Sequence, residues 1–463
     1  MKLTRIFHSP MAWGIGFFIF ISCAGSTVSK KTEIKKLPYN PLALERFVDG
    51  IIDDLVGESE SAITNYLEAL RYDTTSNEIY ASLAGNYISQ GKLEKSYGII
   101  NKILSRDAHH VESLEYLTEI YIKWHDYPRA ISALEQVTKL DPTNIDARYR
   151  LIALMEFQGK TLEAAKYYEE LIAILGPNAL LSSKLGDLYM KNKMYDKAVK
   201  VYSQASRNEP NNIFLLDALA QSYIFNKEVP NAIATYESLV KIKEDDLVHA
   251  RIGSLALQIG DYSKSLQHFK KAEVSFPASA DIKRSIGFAL YQLQRKKDAI
   301  EYLEKAVEIN GTDVFSMSIL SQLYQENKEY EKSDAMFDRV LVIDGSNEAI
   351  LNNYSYSLAV RGIKLDKALE MIQKALAKAP HNSHYLDTIG WIYFQLGQYD
   401  QALKFVNQSY KIDNSSWEVA DHLGDIYLKL KKLDDAKWFW EKALELNKDQ
   451  TQILKKIQSL TIE

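Results

Sequence analysis

The sequence predicts an all-α protein, an α-solenoid in which pairs of short helices stack along the chain. Two observations favour this fold: a small residue recurs at nearly constant spacing, and residues that break helices are rare. Among 463 residues, 46% are hydrophobic and 25% are charged, but only 20 are Gly and 10 are Pro. Such a composition supports a buried core along most of the chain.

Twelve small residues mark the repeat, and each is followed four positions later by a large apolar or aromatic residue. Their successive separations are 34 residues, except for one of 33 and one of 35. Twelve copies at one period exclude chance, so residues 43–450 consist of twelve repeats. The small residues are Ala62, Ser96, Ala130, Ala164, Ala198, Ala232, Ser265, Ala299, Ser333, Ala368, Ala402 and Ala436.

The content of each unit resembles the tetratricopeptide repeat, a helix-turn-helix unit of 34 residues. In residues 179–212, Leu185-Gly186 falls on the first helix, while Ala198 and Tyr202 fall on the second. Small residues on both helices allow the two helices to approach closely. A single unit buries too little apolar surface to be stable alone, so neighbouring units must share their core.

Turn and cap residues occur at matching places in several copies. Pro128 and Pro230 fall just inside the start of a second helix, where the missing N–H costs nothing. Four glycines follow a first helix, at a place where a C′ residue requires positive φ. These glycines are Gly91, Gly159, Gly260 and Gly397.

Two copies are weak, and a short tail follows the last one. The first copy has Asp49-Gly50 and the tenth has Ser355-Tyr356 in place of the Leu-Gly pair. The tail, residues 451–463, predicts a capping helix that seals the last repeat. We expect one apolar stripe on this helix (Ile453, Leu454, Ile457 and Leu460), with Lys455, Lys456 and Gln458 facing away.

Resemblance to tetratricopeptide proteins implies a right-handed superhelix whose concave groove is lined by the first helices. The resemblance assigns the second, fifth, ninth, twelfth and thirteenth positions of each repeat to this groove. Aromatic rings and amides at those positions suit an extended peptide, although packing between neighbouring first helices explains the rings equally well. The candidate groove residues are Phe214, Gln221, Phe225, Phe288, Tyr291, Phe315, Gln322, Asn353, Arg361, Asp387, Trp391 and Phe394.

The strongest partner contact is expected on repeats ten and eleven. Trp391 and Phe394 are three residues apart on one first helix, and Asn353 and Arg361 lie on the preceding one. Two aromatic rings beside an amide and a guanidinium combine apolar area with directional hydrogen bonds, as binding hot spots do.

The N-terminus resembles a bacterial export signal. Lys2 and Arg5 precede an apolar run from Met11 to Ser22, which is too short to span a bilayer as a helix. Residues 1–22 are therefore predicted to be a signal peptide.

Cys23 is the sole cysteine, so an intramolecular disulfide and a cysteine-based zinc site are excluded. The run Phe20-Ile21-Ser22-Cys23 resembles the lipobox, in which the cysteine is lipidated and becomes the mature N-terminus. Phe20 departs from the usual Leu, and cleavage by an ordinary signal peptidase, or an uncleaved signal, stays open. In the lipoprotein interpretation, residues 23–42 form a flexible tether. For a diderm bacterium, the resemblance to lipoproteins implies the outer membrane, because Ala24 and not an aspartate follows the cysteine.

No sequence signal supports catalysis, a cofactor or a nucleic-acid partner. The net charge is −5, from 56 basic and 61 acidic residues, so no basic field favours nucleic acid. The nucleophile-elbow, zinc-protease and P-loop motifs are absent, and all residues between 43 and 450 belong to repeats. The histidines His381 and His384, with Asp387, span a turn between repeats, and His109 and His110 lie in another. We interpret these as turn residues and expect no metal site.

These observations predict a non-catalytic scaffold of the cell envelope that binds proteins or extended peptides. The expected location is the periplasmic face of the outer membrane, with a periplasmic or secreted protein as the alternative. A scaffold for polysaccharide export is a second possibility, which a neighbouring synthase or porin gene would support. A regulatory subunit of an envelope enzyme is a third, which turnover of a glycan substrate would support.

Overall fold

The computed structural model describes residues 40–460, and every regular element in that range is an α-helix. Twelve consecutive helix pairs are followed by one further helix, α25 (Thr451–Leu460), as the repeat register predicts. The predicted signal peptide, Cys23 and most of the predicted tether lie outside the described residues. The first helices of the pairs are α1 (Pro41–Val56), α3 (Asn77–Ser89), α5 (Val111–Lys123), α7 (Ile145–Phe157), α9 (Ala179–Lys191), α11 (Ile213–Phe225), α13 (Asp246–Gln258), α15 (Ala280–Gln292), α17 (Val314–Glu326), α19 (Glu348–Arg361), α21 (Ser383–Gln395) and α23 (Trp417–Lys429). The second helices are α2 (Ser59–Tyr72), α4 (Leu93–Arg106), α6 (Tyr127–Leu140), α8 (Thr161–Leu175), α10 (Tyr195–Asn208), α12 (Val229–Ile242), α14 (Tyr262–Ser275), α16 (Lys296–Ile309), α18 (Tyr330–Ile343), α20 (Leu365–Lys378), α22 (Tyr399–Ile412) and α24 (Leu433–Leu446).

Each first helix begins at a polar residue whose side chain accepts a hydrogen bond from the first turn. Ser76 Oγ accepts from the N–H of Ile79, and Asn144 Oδ1 accepts from that of Ala147. His110, which the sequence placed in a turn, is such a cap as well, because its Nδ1 accepts from the N–H of Ser113. These caps satisfy backbone donors that the helix itself leaves unpaired.

A residue with positive φ lies in each of the twelve turns that connect the two helices of a pair. The four glycines that the sequence assigned to this place have φ of 71° to 76°, so that prediction is confirmed. Two further turns use Gly57 and Gly362. The remaining turns place a side chain in this unfavourable region, at His125, Lys193, Lys227, Gln294, Lys328 and Lys431.

The contact between the two helices of a pair is built from small residues. All twelve small residues that mark the repeat on the second helices are fully buried, with 0% exposure. Opposite them, the first helices carry glycines against which large side chains pack. A Cβ at Gly186 would lie 2.3 Å from the Tyr202 ring, and one at Gly424 would lie 2.3 Å from Trp440. Larger residues at these glycines would therefore force the helices apart.

The weak first repeat keeps this contact. Gly50 is buried, and a Cβ there would lie 2.5 Å from the ring of Tyr66. Only the leucine of the Leu-Gly pair is missing, and Asp49 replaces it.

The described chain divides into two compact units, whose boundary falls within α7 between Leu154 and Met155. Within the second unit, buried side chains from Phe269 to Ile392 form one continuous core. This continuity agrees with the expectation that adjacent repeats share their apolar burial.

The capping helix α25 packs on the last repeat, as predicted, but its orientation differs from the sequence-based stripe. Ile453 is buried beside Trp440, whereas Leu454 is half exposed. Lys456 does not face away, because its Nζ lies 2.7 Å from Asp421 Oδ1 and 2.8 Å from Asp425 Oδ2. The two carboxylates attract the ammonium group, and this attraction fixes how the helix is turned about its axis.

Candidate functional site

The candidate site is the groove face of the second unit. We define the groove face as the second, fifth, ninth, twelfth and thirteenth positions of the first helices from α11 to α21. Three predicted aromatic rings are the most exposed on it: Phe214 at 81%, Phe225 at 54% and Phe315 at 47%. Exposed phenylalanine rings at groove positions of two repeats favour contact with another molecule.

Two of the predicted groove residues on α11 are aromatic, and one of them, Phe214, is open to solvent. The ring of Phe225 stacks on Tyr195, with centroids 5.4 Å apart and planes 20° apart. Gln221 Nε2 donates to Asp217 Oδ2 at 2.6 Å. Phe214 at the start of the helix has no such internal ring partner among the described residues. Phe214 therefore offers the largest free apolar area of the predicted set.

Two further predicted rings, Phe288 and Phe315, meet across α15 and α17. Their centroids are 5.3 Å apart in an edge-to-face contact, and they line an open pocket with Leu257, Arg284 and Ser285. Leu257 and Arg284 also occupy groove positions. Sequence reasoning left both out, although the repeat register assigns them to the groove as directly as it assigns the phenylalanines.

The guanidinium of Arg284 adds a polar rim to this pocket. It lies 2.7 Å from Asp281, whose side chain is largely exposed, and 3.7 Å from the buried carboxylate of Asp313. Of the other predicted residues nearby, Tyr291 is partly buried against the core, and Gln322 is exposed and donates to Glu326 at 3.3 Å. The pocket thus combines an apolar floor with the guanidinium of Arg284. This combination suits a ligand that has an apolar side chain next to a hydrogen-bond acceptor.

The register of repeat ten differs by one residue from the sequence-based assignment. Ser355 is fully buried, and its Oγ donates to Ala368 O at 2.9 Å, so it occupies the place of the glycine in other repeats. Counted from Ser355, the groove positions of α19 hold Asn352 and Tyr356, and Asn353 lies one residue away. The extra residue of this copy lies in the turn after α19, where Lys364 has a φ of 48°.

Arg361 is held by the second helix of repeat nine. Its Nη2 lies 2.6 Å from Asp334 Oδ1, and its Nε donates to the carbonyl of Ser357. The guanidinium also lies 4.9 Å from the ring centre of Tyr330. A partner that binds Arg361 would have to compete with Asp334.

Trp391 and Phe394 do lie together, within a stack of three rings. Their centroids are 4.6 Å apart with planes 10° apart, and His422 stacks on Trp391 at 4.0 Å. Phe394 also contacts Tyr399 at 5.6 Å. Because its neighbours flank the indole, the part of Trp391 that a partner could contact is smaller than the sequence suggested.

His422 pairs with Asp387, an interaction that the sequence did not predict. Its Nδ1 lies 2.9 Å from Asp387 Oδ1, and both side chains are buried. Burial opposes the charge on the imidazole, but the Asp387 carboxylate and its hydrogen bond outweigh burial and raise the pKa of His422. Nearby, burial raises the pKa of Tyr356 to about 12, and the Asp387 charge adds to this shift. Asp387 therefore pairs with His422 inside the protein, and not with His381 or His384.

Three polar atoms on successive first helices have no hydrogen-bond partner among the described residues. They are Gln325 Nε2 on α17, Asn352 Oδ1 on α19 and Trp391 Nε1 on α21. Gln325, Asn352 and Trp391 all occupy groove positions. Unpaired polar atoms cost free energy when buried, so a ligand that supplied a partner after a small side-chain movement would gain affinity.

Residues 40–460 contain no cluster of three or more His, Cys, Asp or Glu side chains that could hold a metal ion. None of the helices in that range is both long enough and apolar enough to cross a membrane.

Comparisons with known proteins agree with the repeat assignment. Models described as "Tetratricopeptide repeat" match residues 121–179, 183–212 and 251–314. A model of "Anaphase-promoting complex, cyclosome, subunit 3" matches residues 362–443.

Individual relatives are distant. TPR repeat-containing protein MJ1428 of Methanocaldococcus jannaschii is 25% identical over 433 residues, which cover 80% of this chain and 76% of that protein. Tetratricopeptide repeat protein 21A of mouse is 22% identical, and the matched part covers 72% of this chain but only 25% of that protein. The solved structure of yeast Tom70 aligns with 91% of this chain and 96% of its own, at 15% identity and a TM-score of 0.34.

The repeat models match segments in which the structure shows the same paired helices, with small residues buried between them. The period, the helix pairs and the matches agree with one another. The described chain is an α-solenoid of helix pairs that are similar to tetratricopeptide repeats.

Proposed function

We propose that this protein is a non-catalytic adaptor that binds an extended segment of another protein along the groove face of its second unit. The observation that carries this proposal is the set of exposed rings at groove positions: Phe214 and Phe315 at the second position of their repeats, and Phe225 at the thirteenth. Tetratricopeptide proteins generally bind other proteins, and this generality supports the assignment without naming a partner.

The pocket between α15 and α17 is the best-defined part of the proposed groove. Phe288 and Phe315 would bind one apolar side chain of the partner, while Arg284 would hold a backbone carbonyl or a carboxylate beside it. An exposed aspartate, Asp281, already neutralises part of the Arg284 charge. A backbone carbonyl would not need to displace Asp281, so extended backbone is the ligand that fits best.

We further propose that the adaptor is exported and anchored in the bacterial envelope through a lipidated Cys23. The support is the sequence before the described residues: a short basic stretch, an apolar run and the sole cysteine directly after it. Several acyl chains on one residue would hold the protein on a membrane far longer than one chain does. The partners would then be other proteins of the envelope.

The adaptor proposal is tested by placing a photo-crosslinking amino acid at Phe214 or Phe315 in cells. The matched control position is Val274 on the second helix α14, whose side chain is 79% exposed but lies off the groove face. A defined crosslinked protein at both groove positions, and none at Val274, is expected. Equal crosslinking at all three positions, or none at any, contradicts a groove-bound partner.

The anchor is tested separately with labelled fatty acid. The wild-type chain should incorporate the label, whereas Cys23→Ser should not, because a serine hydroxyl does not replace the lipobox thiol. Equal labelling of both chains would rule out the lipobox interpretation.

A further inference from the structure

Three consecutive first helices begin with a large apolar side chain that is open to solvent. These side chains occupy the second position of repeats five, six and seven, on α9, α11 and α13. Leu180 is 68% exposed, Phe214 is 81% exposed and Leu247 is 58% exposed. We call Leu180, Phe214 and Leu247 the apolar row.

The apolar row departs from what other repeats place at the same position. Five of the twelve repeats have an acidic residue there, in the first turn of the first helix. A carboxylate is favoured at this place because it interacts with the positive end of the helix dipole. Leucine and phenylalanine gain nothing from the dipole and expose apolar surface to water, so three such residues in consecutive repeats indicate a binding role. The acidic residues are Glu78, Glu112, Asp146, Asp281 and Glu418.

The spacing of the apolar row selects the conformation of its ligand. The first helices α9 and α11 are in contact, and helices that pack side by side have axes about 8–10 Å apart. Side chains at one position of successive repeats are therefore separated by about the same distance. An α-helix presents the same side every seven residues, over about 10.5 Å, and so matches this distance. An extended strand presents the same side every second residue, over about 6.6 Å, and does not match it.

A polyproline helix also fits the distance, because it presents the same side every three residues, over about 9.3 Å. Ligands of that kind dock in grooves lined by aromatic rings. Only one member of the apolar row, Phe214, is aromatic, whereas Leu180 and Leu247 are aliphatic. The side chains of the row therefore favour an α-helix.

The surface beside the apolar row is acidic. The turns that lead into α9, α11 and α13, together with the first residue of each helix, contain four carboxylates and one cation, Lys243. A second cation, Lys271, lies 3.4 Å from Glu244. Carboxylates therefore outnumber cations beside the row, and lysine or arginine at the edge of a ligand's apolar stripe would complement them. The four carboxylates are those of Glu209, Glu244, Asp245 and Asp246.

A second copy of this chain fits the charge less well. Its helix α1 exposes apolar residues such as Leu44 and Leu55. The same helix carries four acidic residues and a single arginine, Arg46. Like charges would therefore face each other if α1 of a second copy lay on the row.

We propose that the apolar row binds one amphipathic α-helix of the partner protein, with apolar residues at i, i+7 and i+14 and with lysine or arginine beside them. This helix lies across the starts of α9, α11 and α13. The inference rests on the proposed function, because Phe214 belongs to the groove face. It adds that a helical part of the partner accompanies the extended part bound at the pocket of Phe288 and Phe315.

The test places a photo-crosslinking amino acid at Leu180, Phe214 or Leu247 of the full chain in cells, one position at a time. Mass spectrometry then identifies the partner residue that each position reaches. The three positions should reach one partner segment, at residues about seven apart. That segment should contain more lysine and arginine than aspartate and glutamate. Crosslinks about three residues apart would instead show an extended or polyproline segment and would overturn the proposal.

A double variant tests the contribution of the two leucines. Leu180→Glu/Leu247→Glu should lower the crosslinking yield at Phe214 at least about tenfold, because two apolar contacts are lost and carboxylates face the apolar stripe of the helix. Glutamate occupies the same position in three other repeats, so circular dichroism should show unchanged helix content. The matched control is Val342→Glu on α18, at a side chain with 87% exposure, which should leave the yield unchanged. An unchanged yield in the double variant would contradict the role of the row.

The remaining outcomes also decide. Crosslinks from the row to a second copy of this chain would overturn the proposal, as would a partner segment with an excess of acidic residues. Crosslinking at Phe315 separates this inference from the proposed function. A defined partner at Phe315, without the seven-residue spacing at the row, would contradict the helix alone. No defined partner at either Phe214 or Phe315 would contradict both.

Discussion

His422 Nδ1 lies 2.9 Å from Asp387 Oδ1 and links the first helices of repeats eleven and twelve. Three acidic groups surround the imidazole: Asp387 on α21, and Asp421 and Asp425 on α23. Burial disfavours the imidazolium, but these carboxylates outweigh burial and keep its pKa above the ordinary value. The ion pair therefore contributes stability that is fully present below about pH 6.5 and is lost as pH rises through the folded-state pKa.

The first prediction is that hydrogen exchange in α21 and α23 becomes faster as pH rises above the pKa of His422, after correction for the intrinsic pH dependence of exchange. Asp387→Asn should lower the pKa of His422, measured by NMR, because the main attractive charge is removed. An unchanged His422 pKa in Asp387→Asn would refute the pairing.

A second buried histidine should respond to pH in the opposite direction. His268 Nδ1 lies 2.8 Å from His249 Nδ1, and His249 Nε2 lies 2.8 Å from Glu244 Oε1. A carboxylate only accepts, so His249 donates through Nε2 and accepts at Nδ1 the proton of His268. Burial first, and His249 second, lower the pKa of His268; the other charges near it are those of Glu237, Lys264 and Lys271.

A lowered pKa means that the unfolded chain binds more protons than the folded chain, so stability falls as pH drops below about 6.5. Exchange in α13 and α14 should therefore be more protected at pH 7.5 than at pH 5.5, after the same correction. His268→Gln should remove most of this difference, whereas His384→Gln should preserve it. If His268→Gln keeps the full difference, the histidine pair is not its source.

The three serines among the twelve small residues predict different effects of alanine. Ser96 and Ser333 donate to the carbonyls of Ala84 and Ser321, at 2.9 Å and 2.8 Å. Ser265 Oγ is buried and has no hydrogen-bond partner among the described residues. Ser265→Ala should stabilise its repeat by about 1 kcal/mol, whereas Ser333→Ala should destabilise its repeat by a similar amount. Urea denaturation of both variants checks this, and a loss of stability in Ser265→Ala would show that its hydroxyl is satisfied.

The repeat number and the close helix contacts could be predicted because they depend on residues at fixed spacing within one period. The register of repeat ten could not, since the sequence shows one extra residue but not that the turn near Lys364 accommodates it. Lys456 was misplaced for a related reason. Its position depends on Asp421 and Asp425, which belong to the preceding repeat and not to its own helix.

The candidate site could be predicted from the sequence only in part. Groove positions identify which side of a first helix a ring occupies, but not whether other rings flank it. Phe214 and Trp391 both occupy groove positions, yet Phe214 is open while Trp391 is stacked between Phe394 and His422. That difference depends on contacts between repeats, which no single repeat encodes.

The groove face is tested by comparing the affinity of the crosslinked partner for the wild type with its affinity for the double variant Phe288→Ala/Phe315→Ala. Both rings line the pocket on the groove face, and Phe315 is nearly half exposed. We predict at least about tenfold weaker binding, equivalent to ~1.4 kcal/mol, with thermal unfolding nearly unchanged. Wild-type affinity in the double variant, with its fold intact, would contradict the claim that the groove face binds the partner.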